Sequence, residues 1–172
     1  MRNIEIKARI TDIEKAEAVA VSIAGQAIAR VRQVDSYFNV QEGRLKIREE
    51  QGSSPRNELI FYRRQDRADP KQSDYRIIAV DSPDSLKRVL AEALGVKAVV
   101  RKERTVYLLE NSRIHLDSVD GLGTFIELEV PVPNEASGSK ARKAVQELMK
   151  AFSIEKADLL ACSYSDLIGT NG

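Results

Sequence analysis

The sequence predicts an α+β domain whose antiparallel sheet closes into an eight-stranded barrel with flanking helices. Three observations carry this. About eight segments alternate apolar and polar residues and are mostly joined by turns, and closure is the natural way for so many strands to lose their edges. Several strands set two ionisable groups on one face: Glu5 with Lys7, Lys46 with Arg48, Lys102 with Arg104, Glu127 with Glu129. Three helical segments carry apolar stripes that need an apolar sheet surface to pack on. Alternation does not say which face is inside. The stripes favour apolar side chains outward and charge inward.

Residues 3–10 open the chain as a strand, with Ile4, Ile6, Ala8 and Ile10 opposite Asn3, Glu5, Lys7 and Arg9. Thr11 or Asp12 then caps a helix whose stripe is Ile13, Ala16, Val19, Ala20 and Ile23, and Gly25 stops it. Strands follow at 33–40 and 44–50, the second with Arg44, Lys46 and Arg48 opposite Leu45 and Ile47. After the loop QGSSPRN come strands at 58–64 and around 75–80. Ser82 and Pro83 start a helix striped by Leu86, Val89, Leu90, Ala93 and Leu94. Residues 98–109 form a strand with Lys102 and Arg104 on one face and Arg101, Glu103 and Tyr107 on the other. A helix over 140–152 uses Ala141, Val145, Leu148, Met149 and Phe152. A short last helix holds Leu159 and Leu160, and the tail packs Tyr164 and Leu167 on the body.

Between these lies RIHLDSVDGLGTFIELEV, residues 113–130, a hairpin turned at Asp120-Gly121-Leu122-Gly123. Ile126, Leu128 and Val130 take one face of its second arm, Glu127 and Glu129 the other. In the first arm His115 and Asp117 look away from Ile114 and Leu116. Alone, this is an amphipathic hairpin with its acids in water. With the basic strands around it, it reads differently. Clustered carboxylates are hard oxygen ligands for Mg²⁺ or Mn²⁺, and the lysines and arginines would hold a polyanion.

The 172 residues fit one domain, 1–172. With 27 basic and 26 acidic residues there is no global pull toward nucleic acid or a membrane. The lone Cys162 excludes an internal disulfide, and no apolar run approaches the ~20 residues of a membrane helix. The charged, alternating start is unlike a signal peptide, so a cytoplasmic location is expected.

Six short segments, in order along nearly the whole chain, carry a resemblance: NIEIK, DSYFN (35–39), LKIR (45–48), IFYRR, RKERTVY (101–107) and LDSVDGLGTFIELE. They resemble the signatures of the CYTH superfamily, the triphosphate tunnel metalloenzymes, and look closest to its class IV adenylate cyclase-like members. The resemblance implies an eight-stranded antiparallel tunnel that binds a small-molecule triphosphate such as ATP or tripolyphosphate, with Mg²⁺ or Mn²⁺ as cofactor. It implies metal ligands at Glu5, Glu127 and Glu129, with Asp117 as ligand or supporting group. Triphosphate contacts follow at Lys7, Lys46, Arg48, Arg63, Lys102 and Arg104; Arg64 is the other choice in IFYRR. Tyr37 and Lys46 are the implied catalytic pair, Tyr37 being equally readable as a wall residue. Asn3 departs from the family's E-x-E-x-K, and its neutral amide is a weaker ligand, which puts a second metal in question.

The activity implied is cyclisation of ATP to cyclic AMP and pyrophosphate. Triphosphate hydrolysis is the near alternative, and a polyphosphate- or nucleotide-binding module without turnover is the third, favoured by Asn3. The absence of Trp counts against a thiamine-binding member. The chain is expected to be a monomer or homodimer. His115 would make an attractive base near neutral pH, but the motif does not demand it. Gly121 and Gly123 serve the turn, and Cys162 reads as a buried filler.

Overall fold

A computed structural model describes residues 1–169. Its eight strands are β1 (Arg2–Arg9), β2 (Ala29–Phe38), β3 (Arg44–Gln51), β4 (Arg56–Arg64), β5 (Lys71–Ala79), β6 (Val96–Leu109), β7 (Ser112–Val119) and β8 (Gly123–Pro131). All neighbours are antiparallel, and the order β1-β5-β4-β3-β2-β6-β7-β8 returns to β1, so the barrel is closed. The helices are α1 (Ile13–Ala24), α2 (Pro83–Leu94), α3 (Gly138–Ala151) and α4 (Tyr164–Gly169). None is long and apolar enough to cross a membrane.

The apolar core lies outside the barrel wall, between it and the helices. Ile4, Ile6 and Ala8 of β1, Ile114 and Leu116 of β7, and Ile126, Leu128 and Val130 of β8 are all buried there. Ala16 and Ala20 of α1 and Ala141, Val145 and Leu148 of α3 cover them. Period-2 alternation then forces Glu5, Lys7, His115, Asp117, Glu127 and Glu129 to the interior. Charge is inside. A second, smaller apolar cluster of Tyr37, Val100, Val119, Phe125 and Tyr164 fills one end of that interior, with Tyr164 supplied by α4.

Asp12 caps α1, its carboxylate accepting from the Lys15 amide at 2.9 Å. The β7–β8 hairpin turns as the sequence indicates. Gly121 (φ 73°) and Gly123 (φ 100°) adopt backbone conformations that favour glycine, which is why two glycines stand there.

The structure corrects several element assignments. β2 begins at Ala29, because Ala29–Arg32 find partners along Glu103–Val106 of the long strand β6. β5 spans Lys71–Ala79, its early residues pairing with β1 and β4. The α2 stripe covers little: Val89 is 61% exposed, and the helix has no fully buried residue. Leu159 and Leu160 are not helical. Leu159 bridges Ala8, and the Leu160 amide donates to the Lys7 carbonyl at 2.8 Å, extending the sheet where β1 runs past its pairing with β5. The terminal helix is α4 instead, and its Tyr164 and Leu167 pack on the body as expected. Cys162 is only half-buried.

Candidate active site in the barrel interior

Two buried aspartates organise the basic wall. Asp35 on β2 accepts from Arg48 at both oxygens (2.8 Å each) and from Lys46 Nζ at 2.7 Å. The β2–β3 register places Asp35 opposite Arg48 and Tyr37 opposite Lys46, so neighbouring strands deliver the pairs without long reaches. Asp117 on β7 repeats the device. It accepts from Arg104 at both oxygens (2.6 Å each), from Lys102 at 3.2 Å and from the Tyr164 hydroxyl at 2.8 Å. Bidentate carboxylate–guanidinium pairs fix a cation in orientation as well as position. Burial by itself would push both aspartates up. The adjacent cations win, Arg48 and Lys46 in one case and Arg104 and Lys102 in the other, and both carboxyls are held well below the usual range.

The cations themselves are destabilised. Burial lowers Lys7 and Lys102 well below the ordinary lysine value, and neighbouring positive charge adds to it: Lys102 and Arg64 beside Lys7, Arg104 beside Lys102. Lys46 is brought down to about 8 by burial and Arg48, against the opposing pull of Asp35. Such a wall of crowded, desolvated cations gains by receiving a polyanion. Tyr37, whose hydroxyl is 3.4 Å from Lys46 Nζ, is pushed up by burial and remains a neutral phenol, a hydrogen-bonding group rather than a base.

An acidic patch adjoins this wall. Register pairs Glu127 with both Lys7 and His115, and Glu129 with both Glu5 and Arg113. Glu127 accepts from Lys7 and, at 2.6 Å, from Arg104; Glu129 Oε2 accepts from Arg113 Nε at 3.1 Å. His115 is buried, and its Nδ1 has no hydrogen-bond partner, lying 3.8 Å from Glu127 and 3.7 Å from Glu129. Burial and Arg104 pull the imidazole down to about 3, so it is neutral at physiological pH. One ligand atom from each of His115, Glu127 and Glu129 lies within 4.8 Å of the others. Two carboxylates and a neutral imidazole suit a divalent ion, and the unpartnered buried Nδ1 fits that use.

These walls enclose a cavity of about 580 Å³. Its lining includes the expected residues Glu5, Lys7, Tyr37, Lys46, Arg48, Lys102, Arg104, Glu127 and Glu129. Apolar side chains of Ile28, Val31, Ile60, Ile77 and Val106 also face it. Asn3 lines it too, its amide within 3.4 Å of Glu129.

Two placements, Arg63 and Glu5, differ from expectation, and Asp117 takes the supporting half of its two readings. Arg63 points away from the tunnel and pairs with Glu42 on the exposed surface at 3.1 Å. β4 alternates Glu58, Ile60 and Tyr62 into the cavity, so the inward arginine is Arg64, which donates to Glu5 at 2.7 Å. Asp117 stands apart from the acidic patch, fully buried with both oxygens taken by cations, a support for Arg104 rather than a member of the His115–Glu127–Glu129 group. Glu5 faces the cavity beside Glu129, donates no ligand atom to that group, and accepts from Arg64 instead. Sequence reasoning missed Asp35, Arg113 and Tyr164. Asp35 and Arg113 left a signal there: Asp35 is in phase with Tyr37 on a strand beside Lys46 and Arg48, and Arg113 is in phase with His115 and Asp117.

The chain is 27% identical, over 98% of its own length and 99% of the relative's, to MJ0240 of Methanocaldococcus jannaschii, a protein provisionally named an adenylate cyclase. PH1012 of Pyrococcus horikoshii OT3 has the same fold, with a TM-score of 0.84 at 21% identity, covering 96% of this chain and 98% of that one. HpAC1 from Hippeastrum aligns with a TM-score of 0.63 at 15% identity over 99% of this chain and 95% of its own. Its description pairs a provisional adenylyl cyclase name with a dominant triphosphatase activity. A family model described as the CYTH domain matches residues 1–164, the whole barrel up to the first residue of α4, and the chain belongs to the CYTH family.

Proposed function

We propose that this protein is a divalent-metal-dependent enzyme that cyclises a nucleoside triphosphate, releasing pyrophosphate. One observation carries the reading: Lys7, Lys46, Arg48, Lys102 and Arg104 converge on one closed interior with the carboxylates of Glu127 and Glu129. The cations bind the phosphate chain, and Asp35 and Asp117 hold Arg48 and Arg104 in fixed orientation so that little reorganisation is needed on binding. Lys46, supported by Tyr37, places positive charge where the departing pyrophosphate accumulates negative charge. Glu127 and Glu129, with Glu5 beside them, would hold the ion, which when bound neutralises and aligns phosphate oxygens. The apolar side chains of Ile28, Val31, Ile60, Ile77 and Val106 in the cavity support an organic substrate with a base and ribose to bury. In the cyclisation the ribose 3′-oxygen bonds to the α-phosphorus, the bond to the pyrophosphate oxygen breaks, and the hydroxyl proton is released.

Hydrolysis of a triphosphate is the second reading. The same cationic wall would serve it, and the triphosphatase activity described for HpAC1, whose fold is similar, supports this reading. Purified protein with Mn²⁺ or Mg²⁺ and either ATP or tripolyphosphate separates the readings by product. Cyclic AMP with one pyrophosphate per ATP is the expected result. Phosphate release from both substrates, without cyclic nucleotide, would replace it with the hydrolase. Saturable binding with no product under either ion would leave a binding module.

A further inference from the structure

We propose that His115 is a third, nitrogen ligand of the metal centre, acting with Glu127 and Glu129 and biasing it toward transition ions such as Mn²⁺ over Mg²⁺. The proposal rests on the metal-dependent reading above and goes beyond it, since carboxylates alone would serve an oxygen-seeking ion.

His115 is buried inside the barrel, and its Nδ1 has no hydrogen-bond partner. It is not reaching for a neighbouring acid: Glu127 Oε2 and Glu129 Oε1 stand at 3.8 and 3.7 Å, too far for a hydrogen bond. Those spacings fall between the ~3.0 Å of adjacent and the ~4.2 Å of opposite donors about 2.1 Å from an octahedral ion, so shifts of a few tenths of an ångström in the side chains bring the three groups onto one ion. Strand pairing enforces the arrangement, because His115 is the direct register partner of Glu127 and β7 carries it at the phase that also points Arg113 inward. Arg113 occupies Oε2 of Glu129, which turns attention to Oε1, the oxygen nearest the imidazole. Glu127 is already claimed by Lys7 and Arg104, so a cation arriving here competes with them for its oxygens. A nitrogen donor is then worth most, and imidazole favours borderline transition ions while Mg²⁺ keeps to oxygen.

The test is metal binding by the full chain without substrate. Mn²⁺ bound to wild type should show electron-spin-echo modulation from one imidazole ¹⁴N, a readout that needs no variant. His115→Gln should remove that modulation and weaken Mn²⁺ binding at least ~10-fold, as disturbing a metal-site histidine typically does. It should change Mg²⁺ binding, measured by calorimetry, by less than about threefold, because Mg²⁺ gains little from nitrogen. Bound Mn²⁺ with no nitrogen modulation, or equal weakening for both ions, would overturn the role of His115 and leave the triphosphate reading intact. Unchanged Mn²⁺ binding by Glu127→Gln would place the ion elsewhere, and the metal reading beneath the proposal would fall with it.

Discussion

Lys46 shows how a single side chain carries both binding and pH dependence. Its amine is held by Asp35 and brought down to about 8, mainly by burial and secondarily by Arg48. If its charge holds phosphate, kcat/KM, which reports groups of the free enzyme, should fall as pH rises through about 8. Lys46→Arg keeps the charge at every accessible pH and should flatten that limb, although the fork-shaped guanidinium fits the pocket less well and lowers the plateau. A descending limb unchanged in the variant would assign it to another group. The stability consequence has the opposite sign. The folded value of about 8 lies below the ordinary 10.5, so between them the unfolded chain holds a proton the folded chain has released, and this residue's contribution to stability rises with pH across that window.

At the scale of one element, β8 divides its two faces between stability and chemistry. Leu128 is fully buried under the helices, while its neighbours Glu127 and Glu129 face the cavity. Leu128→Ala should cost about 2–5 kcal/mol, a core cavity that surrounding side chains fill only in part. Thermal denaturation would register this as a clear drop in Tm, with kcat retained below it. Glu127→Gln is nearly isosteric and should behave in reverse, lowering turnover ~10²-fold or more while shifting Tm little. Arg104 keeps Asp117 in that variant, and the amide oxygen of the new Gln can still accept from Lys7, so neither cation is left without an acceptor. If Leu128→Ala removed activity without changing Tm, or Glu127→Gln kept full turnover, the division would be wrong.

For the whole molecule, the empty tunnel is the least comfortable state. Lys7, Lys46 and Lys102 are all depressed by burial among other cations. A bound triphosphate relieves this twice, by opposing the charge and by drawing protons back onto the amines. Tripolyphosphate at a hundredfold excess over its Kd should stabilise the fold by about 2.7 kcal/mol. In a chain of this size that corresponds to roughly 5–10 °C in Tm. Calorimetry at pH 8 in two buffers of different ionisation enthalpy should show net proton uptake on binding. No Tm shift at saturating tripolyphosphate, or proton release, would contradict the electrostatic account of the tunnel.

Much of this was legible along the chain because strand alternation is a local property. The period-2 pattern of β1, β3, β6 and β8 put Glu5 with Lys7, Lys46 with Arg48, Lys102 with Arg104 and Glu127 with Glu129, and the structure keeps every one of these pairs on the cavity side. The apolar stripes of α1 and α3 told which face needed covering, and from that the inward face followed. The adjacent arginines of β4 defeated the same logic. Arg63 and Arg64 differ only in phase, and the register of a strand against its neighbours is fixed by pairing at a distance, not by its own residues. The α2 stripe misled for a related reason, since apolar periodicity shows that a helix can be buried but not that the barrel has surface left to bury it. Asp35, Asp117 and His115 acquire their roles only on closure. Neighbouring strands bring Asp35 to Arg48, and Asp117 to Arg104, while β7 and β8 set the imidazole beside two carboxylates and leave its Nδ1 unmatched. Alternation within each strand assigns its side chains to a face. Which partners they meet across the barrel depends on its closure, because those contacts join residues far apart in the chain.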